Sequence, residues 1–199
     1  LPRGPGVTLA AAETAAPQAI FAALEASWPP LRWHAAPGWR VGEGGGGGKR
    51  VSAGLATDED ASPAALAAAQ RALGQKPLAM IRQGEERLDA RLAGDGWRML
   101  DPTVAFAAPA ADLSAEPPRL TAFEVEWPPL AVQAEIWNAG AIDAARRAVM
   151  ARVQIPKCAL MGRADDTPMA TAFVACHDAV AMVHALEVTA GMRRRGVGG

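Results

Sequence analysis

The sequence predicts a mixed α/β protein in two halves, the second built on antiparallel strands that follow two helices. Three observations carry that prediction. Short apolar runs bounded by Gly, Pro, Asn or Asp alternate with helical stretches that have start and stop signals. Residues 107–119, made largely of Ala, Pro, Asp, Ser and Glu, read as a linker between a half at 1–106 and a half at 120–199. Finally, Lys157–Arg163 and Met169–Cys176, turned by Ala164-Asp165-Asp166-Thr167-Pro168, read as a hairpin that continues through His177-Asp178 into a third strand.

Composition sets outer bounds. At 199 residues and 50% hydrophobic, the chain can build one large core or two small ones. A net charge of −1 gives no global pull towards nucleic acid or anionic membrane. No apolar run approaches the ~18 residues of a membrane span, and nothing at the start reads as a signal peptide. Leu1 in place of Met implies that this is not the genetic N-terminus. Cys158 and Cys176 make no disulfide framework, so a reduced cytoplasm is expected. His, Cys and carboxylates do not cluster at ligand spacing, so no metal is expected. Abundant Ala and Arg with no Tyr suggest a GC-rich bacterial source.

In the first half, residues 1–16 read as a loose lead-in. Thr14 can cap a helix through Ser27 with Ile20, Phe21 and Leu24 on one face, ended by Trp28-Pro29-Pro30-Leu31. Trp39–Val41 and Arg50–Ala56 read as strands joined by the glycine run Gly44–Gly48. Gly48-Lys49 invites a phosphate-loop reading, but Glu43 and Arg50 break the Gly-x4-Gly-Lys-Ser/Thr pattern at both ends, leaving a flexible hairpin loop. Ser62-Pro63 starts a helix that Gly74 stops. Pro77–Arg82 is expected as a strand, Glu85–Ala93 as a helix closing on Gly94-Asp95-Gly96, and Trp97–Leu100 as another strand. His34 and His177 are expected at the surface.

In the second half, Leu120–Val125 is expected as a strand. Trp127-Pro128-Pro129-Leu130 repeats the tetrapeptide at Trp28, and a helix from Leu130 to about Asn138 breaks at Gly140 and restarts through Val153. After the hairpin comes Val180–Gly199, V-A-M-V-H-A-L-E-V-T-A-G-M-R-R-R-G-V-G-G. Its apolar first part suits a buried strand. Arg193 is followed by Gly196 and Gly198, and glycines so spaced let a backbone approach a ligand and aim successive N–H groups at one point. A helix beginning just beyond would add its dipole. The physics predicts an anion site, suited to a pyrophosphate.

The order Leu186-x-Val188 followed by R-x-x-G-x-G at 193–198 resembles the acetyl-CoA signature of the GCN5-related N-acetyltransferase (GNAT) superfamily. The resemblance covers Leu120–Gly199 and implies a mixed, mainly antiparallel twisted sheet flanked by helices. It implies acetyl-CoA as cosubstrate, bound along Leu186, Glu187 and Val188 and by Arg193, Arg194, Arg195, Gly196, Val197, Gly198 and Gly199. It implies a small-molecule or peptide amine as acceptor, with no nucleic-acid or membrane partner and a homodimer allowed. Gly96-Trp97 stands where such domains turn into a strand, so the first half reads either as a degenerate GNAT-like domain or as an unrelated α/β cap. A complete domain of this type continues past the glycines with helices, one bearing a tyrosine acid, and closing strands. The sequence is therefore expected either to record part of a polypeptide or to have lost the remainder.

Attack by an amine on a thioester needs a proton acceptor and a donor to the developing oxyanion, for which the Val188 N–H is the candidate. His-Ala-Leu-x-Val at 184–188 resembles the arylalkylamine branch, where a histidine here relays the amine proton through water; this makes His184 a candidate base. A plain core histidine is the alternative. Strand alternation places His184 with Met182, Leu186 and Val188, and puts the rival base Glu187 on the opposite face. A non-catalytic CoA-sensing or partner-binding module is the second functional class.

Overall fold

A computed structural model describes residues 15–114, 121–164 and 166–194. Thr14, Leu120, Asp165 and the loop residues Arg195, Gly196, Val197, Gly198 and Gly199 lie outside that range, as does the role expected of each. Pro17 opens helix α1 (Pro17–Ser27), where its missing N–H costs nothing. Strands β1 (Arg32–Ala36) and β2 (Trp39–Glu43) form a hairpin, and β3 (Gly54–Ala56) completes an antiparallel three-stranded sheet in the order β1-β2-β3.

The glycine run does not join two long strands. A helical turn, α2 (Lys49–Ser52), interrupts the second, so that β3 begins only at Gly54. Nor does the run hang free. A Cβ on Gly47 would lie 2.5 Å from Val149 Cγ2, and one on Gly46 would lie 3.2 Å from Ala145 Cβ. The glycines are there because a neighbouring helix needs the space. Helix α3 (Pro63–Ala72) starts at Ser62-Pro63 as expected, and its buried Gln70 closes the local backbone: Nε2 donates to the Ser52 and Leu78 carbonyls and Oε1 accepts from Leu78 N–H, all at 2.8 Å.

Helix α4 (Glu86–Gly94) follows. The strands expected on either side of it do not form. Pro77–Arg82 contributes one parallel bridge, Gly54 with Ala79, and Trp97–Leu100 pairs with no strand among the described residues, leaving Met99 77% exposed. A strand needs a continuous ladder: Pro77–Arg82 meets β3 only around Gly54, through Gly54 N–H to the Leu78 carbonyl and Met80 N–H to the Gly54 carbonyl, and Trp97–Leu100 has no partner strand among the described residues. A 3₁₀ turn follows at Ala110–Ser114.

The second sheet runs β4 (Thr121–Glu126), β5 (Lys157–Ala164), β6 (Thr167–His177) and β7 (Val180–Val188) in that order, all antiparallel. Helices α5 (Ala131–Ala139) and α6 (Ala144–Arg152) precede β5. Gln133 fixes the start of α5: its Oε1 accepts from Leu130 N–H, and its Nε2 donates to the Leu160 carbonyl and to Thr171 Oγ1. Asp143 caps α6 through Arg146 N–H at 2.9 Å. The whole is a mixed α/β fold of antiparallel sheets flanked by helices.

Two cores result. One gathers Trp39, Val41, Leu66, Leu88 and Leu92 between the small sheet, α3 and α4. The other is shared by the two halves: Trp28 and Val51 pack with Trp137, Val149, Met150 and Phe173. Helix α1 lies across β6 and β7, so residues from the first half wall the end of β7.

Candidate functional site

Strand β7 is the edge of its sheet, and it is not regular. Phe173 pairs with His184 and Thr171 with Glu187, so two residues, Ala185 and Leu186, stand opposite Ala172 alone. Ala185 takes φ +51°, a left-handed backbone unusual for a residue with a Cβ. Its carbonyl accepts from Nε1 of Trp137, which is fully buried, at 2.8 Å. The bulge shifts the side-chain alternation by one residue. Glu187 therefore stands on the face that carries His184 and Phe173, while Val188 joins Val183 on the other. This corrects the simple alternation, which separated His184 from Glu187 and grouped it with Val188. Leu186 is 49% exposed.

His184 is buried between α1 and α2. Its Nδ1 lies 3.2 Å from Arg50 Nη1 and its Nε2 lies 2.8 Å from Ser27 Oγ. A guanidinium can only donate, so Nδ1 is the acceptor and the neutral ring carries its proton on Nε2. Nε2–H then donates to Ser27 Oγ, whose own hydroxyl donates to the Ala23 carbonyl at 2.6 Å. Burial, with the Arg50 charge second, pushes the His184 pKa down from 6.5 to about 4. The Trp28 ring lies 5.0 Å from the imidazole centroid. Both ring nitrogens are thus engaged, and the ring is neutral at pH 7. Such a ring holds Arg50 in place and is poorly suited to accept an amine proton. Ser27 is equally unsuited to act as a nucleophile, being wholly buried with its proton committed to a carbonyl.

Glu187 occupies the turn between α5 and α6. Its Oε1 accepts from Ala141 N–H at 3.2 Å, and its Oε2 lies 3.7 Å from Arg193 Nη2. A Cβ on Gly140 would sit 2.4 Å from the carboxyl carbon, so glycine there makes room for the carboxylate. Arg193 folds back onto the strand, its Nε donating to the Val188 carbonyl at 2.9 Å. Arg194 is exposed and takes φ +61°.

Beside His184 opens a cleft of about 480 Å³, bounded by Val183, His184 and Ala185 of β7 and by Trp28, Gly48, Lys49, Arg50, Asp101 and Arg146. Sequence reasoning missed Arg50 and Arg146. Lys49-Arg50 after the glycine run is the visible signal, although it does not complete a phosphate-loop pattern, while Arg146 reaches the cleft from a different helix. A second hollow of about 510 Å³, near Phe21, Trp33 and Arg82, holds a carboxylate already met: Glu25 pairs with both Arg40 and Arg82. His34 bonds Glu43 at 2.8 Å and His177 faces Asp178 at 3.5 Å, both half-buried and away from the cleft.

No protein-family model matches the chain, and no curated protein matches it. Among solved structures, a GCN5-related N-acetyltransferase from Kribbella flavida is similar at 18% identity and a TM-score of 0.42, over 90% of this chain and 75% of that one.

Proposed function

We propose that the chain is an acetyl-CoA-dependent N-acetyltransferase of the GNAT type, transferring acetyl to a primary amine by direct attack. The observation that carries this reading is the bulged edge strand β7, which leads through Leu186-x-Val188 into Arg193-x-x-Gly196-x-Gly198. An edge strand has unpaired backbone groups that an extended ligand can join, as a pantetheine arm would. The left-handed kink at Ala185 turns the backbone away from the ladder beside the cleft.

The attack of a neutral amine on the thioester carbonyl forms a C–N bond and breaks the C–S bond. The amine proton must be passed on and CoA leaves as the thiol. In this reading Glu187 is the proton acceptor, since the bulge brings its carboxylate to the face of His184. His184 is a positioning residue that orients Arg50. The Val188 N–H remains the candidate donor to the oxyanion, and Arg194 to Gly199 are assigned to the CoA phosphates. Arg193 would join them by leaving Glu187, which would free that carboxylate for the proton.

Calorimetric titration with acetyl-CoA tests the reading. Saturable one-to-one binding together with CoA release in the presence of amines is expected. Binding without release would favour the CoA-sensing alternative, which draws on the fully satisfied His184. An absence of both would overturn the assignment.

A further inference from the structure

The cleft beside β7 carries more positive charge than its own groups neutralise. Of its three cations, Lys49 is met by Asp101 Oδ2 at 2.5 Å. Arg50 and Arg146 have no carboxylate within 4.0 Å among the described residues. Arg50 has instead the neutral Nδ1 of His184 and the face of Trp28, whose centroid lies 5.7 Å from its Cζ. Although Arg50 is exposed as a residue, its guanidinium end is crowded by these two rings, and that desolvation pulls its pKa down. Arg146 donates to the Ala141 carbonyl and lies against Gly48. His184 adds no charge at neutral pH, so the net lining is two positive charges without counter-ions. Holding the Arg50 guanidinium partly desolvated without a counter-ion, with a second uncompensated guanidinium on the same cleft, costs free energy, which an oxyanion placed between them would offset.

We propose that the acceptor is a primary amine whose other end carries an oxyanion, a carboxylate or a phosphate, seated between Arg50 and Arg146. The amine part rests on the acetyltransferase reading above; the oxyanion part rests on the cleft alone. Val183, His184 and Ala185 line the same cleft, so an anion held there leaves the rest of the molecule beside the bulge. An acceptor with a second cation is repelled by the same pair. Lys49 and Asp101 close the outer rim as an exposed ion pair and contribute little.

The test uses four probes: aminovalerate, phosphoethanolamine, pentylamine and cadaverine. With acetyl-CoA present, kcat/KM for one or both anionic amines is expected to exceed that for pentylamine by about tenfold or more, with cadaverine poorest. Arg146→Ala should reduce the preference to about threefold or less, and Arg146→Lys should restore part of it. Which anionic probe leads identifies carboxylate or phosphate. Ligand-observed NMR titration without acetyl-CoA gives an independent ranking by affinity. If that ranking favours the anions while acetyl-CoA neither binds nor reacts, the cleft assignment stands and the acetyltransferase reading fails. Equal handling of aminovalerate and pentylamine in both measurements overturns the inference. So does an Arg146→Ala variant that loses acetyl-CoA affinity by about tenfold, because the cations would then belong to the cofactor's phosphates.

Discussion

At the scale of single residues, His184 carries the clearest physical consequence. Its folded pKa of about 4 lies below the ordinary value of 6.5, because burial and Arg50 disfavour the imidazolium. Between those two pH values the unfolded chain binds a proton that the folded chain refuses. Stability from this group is therefore fully present above about pH 6.5 and falls as the pH drops towards 4, by up to about 3 kcal/mol. Chemical denaturation at pH 7.5 and 4.5 should show that loss on top of the carboxylate contribution, and His184→Gln should remove this part of the slope. A variant with the wild-type slope would mean that the ring is not held neutral. Glu187 gives the matching activity prediction. Glu187→Gln is expected to lower kcat by about 100-fold with acetyl-CoA binding retained or tightened, since Arg193 is then released from the carboxylate, whereas His184→Gln should leave the neutral limb of the pH–rate profile in place. A profile that follows His184 instead would return the base to the histidine.

At the scale of elements, the bulge in β7 and the α5–α6 turn form one device. A Cβ on Gly140 meets the Glu187 carboxylate at 2.4 Å, at the far end of a side chain that can move. Gly140→Ala should therefore displace Glu187 and reduce kcat nearly as far as Glu187→Gln, with the unfolding midpoint moved by only a few degrees, about what ~1 kcal/mol produces. At Ala185 the strain runs the other way. Ala185→Gly relieves a left-handed alanine and is expected to be neutral or to stabilise by up to about 1 kcal/mol, while Ala185→Val should cost about 2 kcal/mol or more. Thermal unfolding of the pair separates the two signs. These features also mark where the sequence stops being legible. Strands β5, β6 and β7 and helices α5 and α6 could be read because alternation, turn residues and the Gly140 break are local signals. A bulge inserts one residue without a composition cue, so the face assigned to Glu187 by counting in twos was wrong from Ala185 onward. The expected strand at Trp97–Leu100 has suitable residues but no partner strand among the described residues, and whether a partner exists is a tertiary fact.

At the scale of the whole molecule, the site depends on both halves of the chain. His184 and Glu187 come from β7, Arg146 from α6, and Ser27, Trp28 and Arg50 from segments before the linker. Val51 and Trp28 are buried in the same core as Trp137 and Phe173, so the cleft cannot keep its wall if the halves part. The convergence of Arg50 with Arg146 is invisible to any motif, because the two lie almost a hundred residues apart in the sequence and meet only through this core. Trp28 is the joint. It is 8% exposed and its ring touches Phe173, His184 and the Arg50 guanidinium. Trp28→Ala should cost about 3–5 kcal/mol, the usual range for emptying such a site. Because this core joins Trp28 and Val51 to Trp137 and Phe173, wild-type unfolding should be a single cooperative transition when followed by far-ultraviolet circular dichroism and by tryptophan fluorescence. In Trp28→Ala the two probes should separate: the core of Trp39, Leu66 and Leu88 no longer shares its fate with the sheet that carries β7. Coincident curves in the variant would mean that the remaining contacts of α1 and the glycine run suffice to couple the halves. Separated curves in the wild type would mean that the shared core does not join them, and the cleft assignment would lose its scaffold.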